Sequence, residues 1–137
     1  MVHLRSGRVD DSASIVSFWR ESEAEPTTTD DPERIEHLIA TDPDAVIVAE
    51  DLGRIVGTVI AGWDGWRGAI YRLAVAPDCR GQGLGRLLVD EAVRRLDAAG
   101  ATRLSAIVVN DDDRAMEFWG AVGWDLQSAR SRFVLNL

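Results

Sequence analysis

The sequence predicts an α/β layer fold, in which helices flank a twisted, mixed and mostly antiparallel sheet. Three stretches carry that expectation. Residues 45–75 hold three successive Val- and Ile-rich segments, AVIVAE, RIVGTVIAGW and RGAIYRLAV, separated by short turn signals in the pattern of a meander. Leu84, Leu88, Ala92 and Leu96 then recur every four residues, as on a helix that buries one side. A strand-like run at 103–109, a short helical pattern and further apolar segments follow.

The elements follow in order. Residues 3–9 read as a first strand with Leu4 and Val9 as its apolar positions. Asp10 or Asp11 can cap the next helix, on which Ile15, Val16 and Trp19 fall on one side. Residues 21–31 are polar, with Pro26 and three consecutive threonines, and form a loop. It is either a solvated connection or a place where Glu21, Glu23 or Glu25 faces a positively charged acceptor. Asp31 before Pro32 starts a second helix with Ile35, Leu38 and Ile39 as its apolar patch. In the meander, Gly57 marks a bulge or a close approach. Trp63 and Trp66 bracket the second hairpin, as cross-strand partners or as walls of an acceptor pocket. Leu73, Ala74 and Val75 form a buried strand that Pro77 ends. The helix beginning at Leu84 adds Leu87 to its apolar set, carries Asp90, Glu91, Arg94 and Arg95 mainly on its remaining surface, and stops at Gly100. Residues 110–113 form a polar turn, and Ala115, Phe118, Trp119 and Val122 line the inward side of a helix ended by Gly123. Residues 124–126 and 132–137 are expected to close the fold as a hairpin.

With 137 residues, 46% of them hydrophobic, the chain fits a single domain over 1–137. Its 15 basic against 23 acidic residues give a net charge of -8, a poor match to sequence-independent nucleic-acid binding. Cys79 is the only cysteine, so neither an intrachain disulfide nor a cysteine metal cluster is expected. Arg5, Arg8, Asp10 and Asp11 interrupt any secretory signal, and no apolar run is long enough for a membrane span, which makes a cytoplasmic protein the expectation.

The chemistry concentrates between Val75 and Leu88. Gly81, Gly83 and Gly85 remove side chains where a helix begins, and the first amides of a helix lack intrahelical partners. Their dipoles, with Arg80 and Arg86 on either side, suit a phosphate. The glycine spacing is wrong for a dinucleotide fold, and the Lys with Ser or Thr of a P-loop is missing.

What remains resembles the GCN5-related N-acetyltransferase (GNAT) superfamily. Its pyrophosphate signature is matched by Arg80, Gly81, Gln82, Gly83, Leu84 and Gly85 within LAVAPDCRGQGLG, and its later helix and turn by RAMEFWGAVGW at 114–124. The likeness covers about residues 45–137. It implies a splayed central pair of parallel strands, formed by the strand ending at Val75 and by 103–109, and an acyl-coenzyme A site. Backbone groups of Leu73, Ala74 and Val75 would take the pantetheine arm, and amides from Gln82 to Arg86, including Leu84 and Gly85, the pyrophosphate. Arg80 would add charge, and Asn110 or Asp112 would lie at the turn where relatives carry Asn.

Two departures bear on catalysis. Relatives often have a tyrosine as general acid where this chain has Trp119, and an indole does not release a proton near neutrality. Ile107 stands where relatives that modify protein N-termini carry a glutamate. Asp64 and Tyr71, with Glu21 and Glu25, are candidates for passing a proton through water, whereas His3 and His37 read as ordinary surface residues. The expectation is acetyl transfer from acetyl-CoA to a primary amine of a small molecule or peptide, by a monomer or homodimer without nucleic-acid or membrane partners. A catalytically weak acyl-CoA-binding regulatory or interaction module is the alternative.

Overall fold

In a computed structural model that describes residues 1–22 and 24–137, the chain runs β1 (His3–Ser6), α1 (Ser12–Glu21), α2 (Pro32–Thr41), β2 (Val46–Asp51), β3 (Arg54–Trp63), β4 (Gly68–Val75), α3 (Leu84–Ala99), β5 (Leu104–Ala106) and α4 (Asp113–Ala121). Short 3-10 turns at Val9–Asp11 and Pro77–Cys79 precede α1 and α3. Glu23, one of the glutamates considered for the acceptor, lies outside the described residues. The described residues fall into two units, Met1–Ala106 and Ile107–Leu137.

The first unit is a five-stranded sheet in sequence order, antiparallel from β1 to β4 and parallel between β4 and β5. A parallel neighbour needs a crossover, and α3 supplies it. The core comes from β2 and β3, where Val46, Ile47, Val48, Ala49, Val56 and Val59 are buried, together with Ile15, Val16 and Trp19 of α1 and Leu88, Val89, Ala92 and Leu96 of α3. Helices cover both faces. A Cβ on Gly57 would stand 2.8 Å from Leu88 Cδ1, so α3 lies over the face to which Gly57 points. The next residue, Thr58, points the other way and accepts the indole N–H of Trp19 at 2.8 Å, which puts α1 on the opposite face. Gly57 thus marks a close approach, and the β2–β3 register also shifts beside it, between Ala49 and Glu50.

Asp31 caps α2 as its sequence predicts, accepting the Arg34 amide at 2.9 Å. Asp11 does not cap α1: its carboxylate takes the Arg8 amide at 2.7 Å and the Arg5 guanidinium at 2.8 Å, because the chain makes a 3-10 turn before the helix begins. β1 ends at Ser6 for the same reason. Leu87 leaves the apolar set of α3 and is 54% exposed, because the buried stripe passes through Val89 instead. Trp63 and Trp66 are not cross-strand partners. Trp63 faces Gly68, while Trp66 sits in the turn, 71% exposed, with the Arg67 guanidinium 4.2 Å above its ring.

In the second unit, α4 begins at its Asp112 cap, which accepts the Ala115 amide at 3.0 Å, and Trp119 packs edge-on against Phe118 and Trp124. Gly123, at φ +93°, follows the helix end. The closing hairpin expected at 124–126 and 132–137 does not form: residues 122–137 hold neither helix nor strand, and Phe133, Val134 and Leu135 are exposed. Two short strands need a third strand or a helix face on which to bury one side, and α4 is the only regular element in this unit. β5 is also shorter than the run 103–109, ending at Ala106 where its register with β4 ends.

Candidate active site

The site grows from an irregularity in β4. Thr58 pairs with Ala74 and Ile60 with Tyr71, so two residues, Arg72 and Leu73, stand opposite the single Val59. This is a bulge on β4. Arg72 takes φ +53°, a left-handed conformation uncommon outside glycine. Its carbonyl receives the buried Thr58 hydroxyl at 3.0 Å, and Thr58 in turn holds the Trp19 indole. Ile60 and Gly62 share the Thr58 face by alternation, and a Cβ on Gly62 would lie 3.0 Å from the Tyr71 ring. Tyr71, 51% exposed, therefore stands on the α1 face, next to Arg72.

On its other edge β4 pairs with β5 only through Gly68, Ala69 and Ile70, opposite Leu104, Ser105 and Ala106. The pairing stops where β5 ends at Ala106, and β4 continues to Val75. The Ala76 amide bonds Val56 at 2.8 Å, back toward β3. Backbone direction alternates along a strand, so the N–H and C=O of Leu73 and Val75 point away from β3, and those of Ala74 point to β3. Leu73, Ala74 and Val75 are all half-buried. This edge offers hydrogen-bonding groups to an extended guest.

β4 leads directly into the glycine turn. Gly81 and Gly83 have φ of +78° and +81°, and a Cβ on either would meet nothing within 4 Å. Gly83 is the N-cap of α3, and no side chain caps that helix. The amides of Leu84, Gly85 and Arg86 thus lack intrahelical partners and face space that a methyl group would enter. Gln82 and Arg86 are exposed beside them. Arg80 bonds the Ser22 carbonyl at the end of α1 at 3.1 Å, which ties the turn to that helix. Cys79 is half-buried next to Asp78, whose carboxylate pairs with Arg54 at 3.0 Å.

The other sequence candidates are placed as follows. Asp64 Oδ1 accepts the amides of Arg67 at 2.7 Å and Trp66 at 2.8 Å, and these bonds hold its carboxyl below the usual range. It fastens the hairpin turn and is a weak proton acceptor. In the unit 107–137, Asp112 spends an oxygen on capping α4, Asn110 is exposed, and Trp119 lies between two aromatic rings. Sequence reasoning missed Arg72, Thr58, Trp19 and Asp30. A threonine inside the apolar run RIVGTVIAGW was the one available signal, since a buried hydroxyl needs a partner.

The chain matches the acetyltransferase (GNAT) family over residues 13–124. It is 30% identical over 128 residues to an acetyltransferase of Sodalis glossinidius, covering 93% of this chain and 90% of that protein. An acetyltransferase of Pectobacterium atrosepticum is 35% identical over 112 residues, covering 82% and 79%. Among solved structures, the PaiA N-acetyltransferase of Thermoplasma acidophilum, determined with coenzyme A, shares the fold with a TM-score of 0.80 at 13% identity, over 93% and 91% of the two chains. With a bulged β4, a parallel β4–β5 pair and an uncapped α3 in place, the chain belongs to the GNAT acetyltransferase family.

Proposed function

We propose that this protein is a cytoplasmic, single-domain enzyme over residues 1–137 that transfers an acetyl group from acetyl-CoA to a primary amine of a small molecule or peptide. One observation carries the reading: the unpaired edge of β4, at Leu73 and Val75, runs straight into the uncapped, glycine-opened start of α3. A strand-like amide chain ending in a pyrophosphate fits both parts in one line. Its anionic end meets helix amides and Arg86, and its amides meet the backbone of Leu73 and Val75. That PaiA of the same fold was solved with coenzyme A supports the assignment.

Acetyl-CoA supplies an activated thioester, and the protein supplies position and charge stabilisation. In this reading backbone donors of β4 near Val75 face the acyl carbonyl and stabilise the negative charge that grows on its oxygen. The amine nitrogen forms the new C–N bond, the C–S bond breaks, and the sulfur leaves as thiolate or thiol. Tyr71 lies beside the bulge on the α1 face and passes a proton through water. Asp64, held by its turn, shapes the hairpin and contributes negative charge. Trp119, packed between Phe118 and Trp124, does not act as an acid, and Asn110, which is exposed while Asp112 caps α4, is the nearer match to the relatives' asparagine. The net charge of -8 favours a cationic acceptor.

The test is continuous thiol release from acetyl-CoA with a panel of amines and peptides, alongside a variant carrying Arg80→Ala and Gly83→Val. Amine-dependent release that disappears in the variant supports the reading. Tight acetyl-CoA binding without release across the panel would instead favour an acyl-CoA-binding regulatory module.

A further inference from the structure

The Arg72 side chain carries information that the transfer chemistry does not use. It leaves the β4 bulge on the α1 face, with its guanidinium carbon 5.2 Å from the centre of the Trp19 ring, and reaches the α1–α2 loop. There Nε donates to Asp30 Oδ1 at 3.0 Å, Nη2 bonds Asp30 Oδ2, and Nη2 also donates to the Thr27 hydroxyl at 3.1 Å. Asp30 closes the loop on itself as well, accepting the Thr27 amide and hydroxyl, each at 3.0 Å. The two charged side chains are only 15% and 16% exposed.

This arrangement is costly to hold. A left-handed conformation at a residue with a side chain costs about 1–2 kcal/mol, and glycine or asparagine would avoid most of it. A largely buried ion pair adds little stability over an apolar pair, so its return is in fixing geometry. What it fixes is the loop at 24–31 relative to the bulge. Tyr71 stands on the same face, whereas the opposite face is filled by α3, with Leu88 against Gly57 and Leu96 against Gly68. The half-exposed Tyr71 thus marks the α1 face as the side from which an amine would approach the bulge.

We infer that Arg72 is a positioning residue: through Asp30 it latches the α1–α2 loop as a wall of the amine entrance and thereby sets acceptor recognition without touching donor binding. The inference rests on the acetyl-transfer reading for its acceptor side, but the latch itself is testable alone.

The variants are Asp30→Asn, which keeps shape and removes charge, and Arg72→Asn, whose residue tolerates the left-handed backbone but falls short of Asp30. Arg72→Lys keeps a single charge. Hydrogen exchange on the ligand-free proteins is expected to speed up at residues 24–31 in both asparagine variants and to be partly restored in Arg72→Lys. In turnover, KM for the amine is expected to rise about tenfold while KM for acetyl-CoA stays within about twofold. Unchanged exchange in the loop overturns the latch. Faster exchange with both KM values rising together, or neither, overturns the positioning role. If wild-type protein turns over no amine, the transfer reading fails, and the exchange result alone decides the latch.

Discussion

Gly83 and Asp11 show how single side chains govern this molecule. Adding a methyl group at Gly83 forces a φ of +81° on an L-residue and places carbon where the α3 amides open to solvent. Gly83→Ala is expected to cost about 1 kcal/mol of stability and to weaken acetyl-CoA binding by at least about tenfold, measured by thermal unfolding and titration calorimetry. Asp11 is the partner of Arg5, which also pairs with Glu50 at 2.8 Å. The Arg5 guanidinium holds the Asp11 carboxyl below its usual range, against the opposing effect of burial. A lowered folded-state pKa means that the unfolded chain binds the proton more readily, so this stabilisation is present above the ordinary carboxylate range and is lost as pH falls through the folded value. Asp11→Asn is expected to cost about 2 kcal/mol at neutral pH and to flatten the acid limb of stability, read from urea midpoints between pH 3 and 7. Arg72 shows the limit of reading residues in sequence. Nothing in IYRLAV marks the third letter as left-handed, because a bulge is a mismatch between two strands and neither strand carries it alone.

Among the elements, α3 was the most legible and the end of the chain the least. The four-residue recurrence of Leu84, Leu88, Ala92 and Leu96 survives as a buried stripe because one helix face meets the sheet along its whole length. Leu87 and Val89 show the resolution of such periodicity, since a shift of about 100° per residue decides which neighbour is covered. Leu88 is fully buried where the helix meets Gly57. Leu88→Ala is therefore expected to destabilise by about 2–5 kcal/mol and to lower donor affinity too, because the same helix presents the amides; unfolding and calorimetry on one variant check both. The cap at Asp31 was legible for a similar reason, being a local rule fulfilled within four residues. Asp11 escaped the rule because Arg5 and the 3-10 turn claimed its carboxylate. The cross-strand reading of Trp66 and the closing hairpin failed because apolar character in a short run says nothing of a partner, and residues 122–137 show no ladder in which to spend it.

On the proposed reading, the net charge of -8 works against an anionic donor and in favour of a cationic acceptor. Raising ionic strength from about 10 mM to 0.3 M shortens the Debye length from about 30 Å to under 8 Å. KM for a cationic amine is accordingly expected to climb severalfold while KM for a neutral amine stays level, which initial rates across a salt series will show. A β4 edge that is paired for only three residues also has a second meaning. Within its unit, β4 beyond Ile70 is an edge strand, with N–H and C=O groups that any stray β-segment can satisfy. Such edges are where proteins stick to one another. Coenzyme A bound as proposed would occupy that edge as a surrogate strand, and at a hundred times its Kd would add about 2.7 kcal/mol to stability. The nucleotide would then act as a chaperone for its own enzyme, and light scattering at a fixed temperature near the melting point is expected to rise later with coenzyme A than without it.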